Sequence, residues 1–348
     1  MTKYHFAFSN IIDNLHTIYL GIVKKLIELY QTNKVFGTEN ALSRIDNQMS
    51  FNHGSADVPN LQSIYMLANW KGKDFKSFLL HYGLPMLDTY CINDLVTKNF
   101  INLLDSIYIL SEKRISGQNL DIAKSKMNAF LIGFTEIFGE DKITPNFHEF
   151  SHICDVIRFS GPLWLNSTFY FEGLNFTIRN FVRSSLRPEL QIIDRINLQK
   201  SLDEDIEKIH QWNPNIPSEM HPRKAKSDLD TIKPLGKKIS GTNKYHRCKI
   251  GKHIFSTENY GSKFKKSDQF ISFNGQFLKL IDIIESDIDL KLVCKCLETT
   301  KLSVNTSKVV SESVLITIDA SLIIEKCVPA KFGENLYLSN LSYDSLFN

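Results

Sequence analysis

Nowhere in this chain of 348 residues does a run of eighteen apolar side chains occur, and no basic segment followed by an apolar stretch opens it. The first absence argues against a membrane span and the second against a secretory leader. Neither secretion nor a membrane partner is therefore expected. Cysteine is sparse: Cys91, Cys154, Cys248, Cys294, Cys296 and Cys327 are scattered, and none makes a Cys-x-x-Cys. That usage suits a reducing compartment better than a disulfide framework, so the Asn-x-Ser/Thr matches at Asn166, Asn175 and Asn305 are read as accidental. Strand signals are nearly missing before residue 245. What is present is 43% apolar residues, enough to bury a sizeable core, in a length that suggests two domains.

The most informative stretch is 144–183, TPNFHEFSHICDVIRFSGPLWLNSTFYFEGLNFTIRNFVR. Thr144 fits an N-cap and Pro145 the first helical position, so His148 and His152, at i and i+4, should leave one helix face about 40° apart. A pair so placed can share one metal ion, although most such pairs are packing or surface decoration. Gly161-Pro162 breaks the pattern, and Ser167 or Thr168 can cap a second helix. On it Glu172, Phe176, Arg179 and Arg183 follow at offsets of four, three and four. A second block, 11–31, places Leu15, Ile18, Tyr19, Ile22, Val23, Leu26 and Tyr30 on one stripe, with Asp13 as a natural N-cap.

The strings HEFSH, GPLW and FYFEGLN, in that order, resemble the final catalytic block of the CACTA (En/Spm) group of DDE/D transposases. The Asp-x-x-His of Asp13 and His16, followed by Leu20-Gly21, looks like that family's second aspartate block. Residues 69–87, NWKGKDFKSFLLHYGLPML, are similar to its Trp-Lys, acidic, Phe-Leu-Leu-Tyr helix. The resemblance spans about residues 4–183. It implies part of a ribonuclease-H-like core with a helical insertion, and DNA cut and joined through two divalent ions on three carboxylates. Asp13 and Glu172 would be two of those carboxylates, holding Mg²⁺ or Mn²⁺, which prefer hard oxygen ligands. His148 and His152 would be zinc ligands of a Cys₂His₂ site.

The sequence departs from that pattern in one respect. The family's first aspartate and its Cys-x-x-Cys lie upstream of the Asp-x-x-His block, and only twelve residues precede Asp13. The expectation is thus a C-terminal portion of a transposase, decayed or truncated, and inactive as a nuclease on its own.

Charge is uneven. The chain carries a formal +3, yet residues 221–266 hold thirteen basic and three acidic side chains, a local excess of about +10. Residues 213–245 read as a basic linker. Lys237, Lys238, Lys265 and Lys266, with Arg179 and Arg183, are candidate phosphate contacts for DNA, weak and independent of sequence. A solvated tether is the plain reading of the same lysines. Helices are expected near 14–31, 61–69, 73–82, 94–111, 119–138, 145–158 and 167–185, Gly83-Leu84-Pro85 stopping the third. A further acidic helix at about 195–210 should pack on the same unit. After residue 245 short β-branched and aromatic runs follow: HIFSTENY, QFISF, QFLKLIDII, LKLVCKCLE, SVLITID and NLYLSNL. Asn274-Gly275 signals a type I′ hairpin, and a small curved barrel of five or six strands is expected. The fold class is α+β, with a helical region over 1–212, the linker over 213–245 and a β module over 246–348.

Two other functions fit parts of the sequence. HEFSH matches the zinc-peptidase string, with Glu149 as general base, and His148, His152 and Asp155 could hold one zinc ion of a hydrolase. A non-catalytic DNA- or chromatin-binding protein in the nucleus would need only the basic stretch and the β module.

Overall fold

A computed structural model describes residues 12–52, 55, 57–58, 60–212, 232–264, 267–286, 290–322 and 325–341. It is α+β: helices fill the described part of 12–212, and a closed barrel of six antiparallel strands follows. The helices are α1 (Leu15–Val23, π-helical), α2 (Lys24–Thr32), α3 (Glu39–Phe51), α4 (Gly72–Ser77), α5 (Gly83–Tyr90), α6 (Asp94–Leu110), α7 (Gly117–Phe138), α8 (Pro145–Ser151), α9 (Ile153–Ser160), α10 (Phe169–Phe181) and α11 (Pro188–Trp212), with α12 (Glu258–Phe264) among the strands. Strands are β1 (Ile232–Leu235), β2 (Lys244–Tyr245), β3 (Arg247–Ile250), β4 (His253–Ser256), β5 (Phe270–Phe273), β6 (Gln276–Glu285), β7 (Leu290–Lys301), β8 (Thr306–Asp319), β9 (Glu325–Phe332) and β10 (Asn335–Asn340). Compact units follow a different division from the one read in the sequence. The described residues up to Ser167 pack with the described residues from Ile232 onward, and α10 and α11 belong to a second unit.

All seven stripe residues of 11–31 are buried, as amphipathicity requires. Two other helical expectations need correction. Gly83-Leu84-Pro85 does not stop a helix, because Phe78–Tyr82 widens into a π-turn in which the Gly83 amide bonds the Phe78 carbonyl. Pro85 then falls in the first turn of α5, where its missing N–H costs little. The acidic helix 195–210 is the end of α11 and belongs with α10 to the second unit.

The barrel runs β6-β5-β9-β10-β8-β7 and closes by pairing β7 with β6, while β2 adds to β6. Asn274 and Gly275 both take positive φ, 49° and 76°, and Phe273 faces Gln276, as a type I′ turn demands. Closure of so small a ring needs bent strands. β-Bulges supply the bend, at Leu280/Asp282 in β6 and twice in β8, opposite Lys295/Leu297 and opposite Glu298/Thr299 of β7. The first bulge shifts the inward phase by one residue, so Leu278, Leu280 and then Ile283 share one core. Phe270, Phe277, Leu297, Cys327 and Leu338 form another on the opposite faces. Two readings of this region are revised. The expected strand HIFSTENY ends at Ser256 and turns into α12, and the tail of the expected linker forms β1, which pairs with β3. β1 is an edge strand, the place in a sheet where a proline such as Pro234 is tolerated.

Helices and barrel of the first unit are joined by polar side chains. Asn52 donates to the Lys331 carbonyl at 3.1 Å and accepts from the Lys331 amide at 2.6 Å. Asp105 accepts from the Val304 amide at 2.8 Å, and Asn305 donates to the Leu80 carbonyl at 3.0 Å. Lys326, with a side chain 0% exposed, bonds Asp57 at 2.6 Å, Asp268 at 2.7 Å and the Ile254 carbonyl at 2.8 Å. Burial opposes ionisation of Asp57, but the His253 hydrogen bond and the Lys326 charge outweigh it and hold this carboxyl at about 2. His81 sits buried against Ser339 Oγ at 2.7 Å, and burial pulls its imidazole down to about 3, with the nearby Lys76 charge adding to the effect.

Replacing Lys326 by Met should cost about 3–5 kcal/mol in urea unfolding, because two buried or half-buried carboxylates lose their cation. His81 carries a second expectation. Its folded value of about 3 lies below the unfolded value of about 6.5, so the unfolded chain binds the proton first as pH falls. Stability contributed by neutral His81 is complete above about pH 6.5 and is lost toward pH 3. Unfolding measured across that window should be less pH-dependent in His81→Gln than in the wild type.

Candidate functional site

Asp13 stands where the first helix begins. Its Oδ1 accepts from the Leu15 amide at 3.1 Å, its Oδ2 meets His16 Nδ1, and its carbonyl accepts from the Thr17 amide at 2.9 Å. The carboxylate therefore caps α1 and orients an exposed imidazole at the same time. One turn on, Thr17 Oγ1 donates to Glu149 Oε2 at 2.7 Å. Asn14, fully buried, donates to the Leu163 carbonyl at 3.0 Å. The Asp-x-x-His block, the HEFSH block and the Gly-Pro-Leu-Trp turn thus meet in the fold, although about 130 to 150 positions separate them.

The sequence of α8 explains the meeting. Pro145 starts the helix after an extended Thr144, and Phe147 and Phe150 are buried while His148 and Glu149 stay exposed. Phe147 lies 4.3 Å from Phe134 and 6.2 Å from Phe130, ring centre to ring centre, and Phe150 lies 6.0 Å from Phe130 edge to face. These rings pin α8 to α7. On the α1 side Gly21 admits Asn146: a β-carbon there would stand 2.7 Å from the Asn146 Cγ and 2.8 Å from the His16 carbonyl oxygen.

The expected helix 145–158 is two helices, α8 and α9, joined at His152 (φ −100°, ψ −2°). His148 and His152 nonetheless keep their rings together, 5.0 Å apart and edge to face. A zinc site needs three or four protein ligands. Among the described residues no group of three or more His, Cys, Asp or Glu is placed to hold a metal ion. Cys154 is buried, which pushes its thiol up to about 11 and disfavours a thiolate. Asp155 bonds Lys124 at 2.9 Å. The donors at this place do not fit the Cys₂His₂ centre that the resemblance implies, nor the hydrolase set of two histidines and Asp155.

Glu172 occupies the first turn of α10, exposed, and belongs to the second unit; Arg179 in its last turn and Arg183 just beyond are exposed as well. Lys237 is exposed, whereas Lys238 pairs with Glu285 and lies 5.8 Å over the Tyr245 ring. Lys265 and Lys266 lie outside the described residues. Asn14, Thr17 and Asn146 are not singled out by the sequence, and Gly21 enters there only as part of the Leu20-Gly21 string. Only the polarity of Asn14 and Thr17 on an otherwise apolar helix hinted at a partner.

Gly21→Ala gives a test of opposite sign to the usual one. Alanine in place of glycine normally strengthens a helix interior by about 1 kcal/mol, but here overpacking against Asn146 should lower stability by about 1–3 kcal/mol in urea titration. No family model matches the chain, and comparisons with curated proteins and with solved structures also return no match.

Proposed function

We propose that this chain is a transposase-derived protein that binds nucleic acid and does not cut it alone. The observation that carries the reading is the junction of Thr17 with Glu149, which brings the Asp13 block against the HEFSH helix, two of the segments on which the transposase resemblance rests. Two carboxylates, Asp13 and Glu172, are fewer than the three that two-metal phosphoryl chemistry uses. Exposed Arg179, Arg183 and Lys237 supply cations for a phosphate backbone. Binding of that kind is governed by counterion release, so it should be weak, tolerant of sequence and steeply dependent on salt.

Fluorescence anisotropy with unrelated duplexes should show similar affinities that fall together as salt rises from 50 to 200 mM. Absence of binding at low ionic strength would overturn the proposal. So would Mg²⁺- or Mn²⁺-dependent nicking that disappears in Glu172→Ala.

A further inference from the structure

The geometry points to a phosphate-binding cleft at the start of α7 that receives the backbone of the nucleic acid; this rests on the function proposed above and gives it a location. The cleft, about 580 Å³, lies between the loop that enters α7 and the end of α9. Three cations line it: Lys113 and Arg114 from the loop, and Arg158 from α9. One acid, Asp121, stands among them, 3.7 Å from Arg158, with both side chains more than half exposed. Such a loose pair contributes little stability and can reopen toward a ligand.

The helix end adds to the cations without carrying the case by itself. Ser116 Oγ accepts the Asn119 amide at 3.1 Å and the Ser116 carbonyl accepts the Leu120 amide at 2.9 Å, and Gly117, at the first helical position, where amides have no partner within the helix, lines the cleft. Apart from its chain neighbours and its own helix backbone, nothing stands within 4 Å of where a Gly117 β-carbon would be, so a phosphate oxygen can approach the backbone closely. A polymer backbone fits better than a small phosphorylated molecule. Pockets for small ligands enclose them with a few buried polar groups. Here the guanidinium and ammonium groups sit on exposed side chains around an open cleft, which is how proteins grip a repeating phosphodiester.

The test combines Lys113→Gln, Arg114→Gln and Arg158→Gln in the full chain, with circular dichroism to confirm folding. Duplex affinity is then followed against salt. The slope of log K against log salt should fall by about three, one per contact removed, and Lys113→Arg with Arg114→Lys and Arg158→Lys should restore most of it. A wild-type slope in the Gln variant would overturn the cleft while leaving duplex binding intact. Failure of the wild type to bind duplex would instead remove the functional reading, and the cleft with it. Inorganic phosphate saturating the Gly117 amide resonance, with the duplex slope unchanged in the Gln variant, would assign the cleft to a free anion and refute the backbone.

Discussion

Lys326 is the point on which the first unit depends. An ammonium group with no exposure must be surrounded by acceptors, and its acceptors come from three separate segments: Asp57 after α3, Asp268 before β5 and the Ile254 carbonyl of β4. Removing any one would leave a buried charge underpaired, a penalty far above the worth of an exposed ion pair. The aromatic face of Phe255 lies 5.7 Å from the same nitrogen. A single cation in β9 thus sets the place of the Asp57 segment relative to the barrel, and through it the helices that follow.

Around that anchor the helices serve the barrel as hydrogen-bonding partners. Ladders leave backbone groups unpaired where strands end or diverge. Asn52 presents a carboxamide that imitates a neighbouring strand to Lys331, Asp105 receives the Val304 amide, and Gln48 receives the Gly333 amide at 3.0 Å. The contacts of α1 follow the same logic, with Asn14 and Thr17 reaching the backbone of Leu163 and the carboxylate of Glu149.

Local physics was legible in the sequence, and distant pairing was not. The type I′ turn at Asn274-Gly275 could be read because two adjacent residues determine it, and the start of α8 because Thr144-Pro145 announces it. β9 escaped notice because Pro329 reads as a breaker. It is tolerated because the pairing of β9 with β5 involves Glu325 and Lys326, and Pro329 has β10 alone as a neighbour. The strand expected over HIFSTENY runs three residues into the helix Glu258–Phe264, because the aromatic residue there, Tyr260, carries strand propensity. Of the site, the His148–His152 pair could be inferred from spacing. The Thr17–Glu149 bond could not, because no periodicity links residues 132 positions apart.

The clasp between Asn52 and Lys331 bears on how the chain acquires its shape during synthesis. The two residues are 279 positions apart. At the ribosome's pace of roughly 5–20 residues per second, Asn52 emerges about a quarter of a minute to a minute before the strand it will hold. During that interval α3 presents its polar end to water alone. The contact between the end of α3 and β9 must therefore form late, after the whole helical region has emerged.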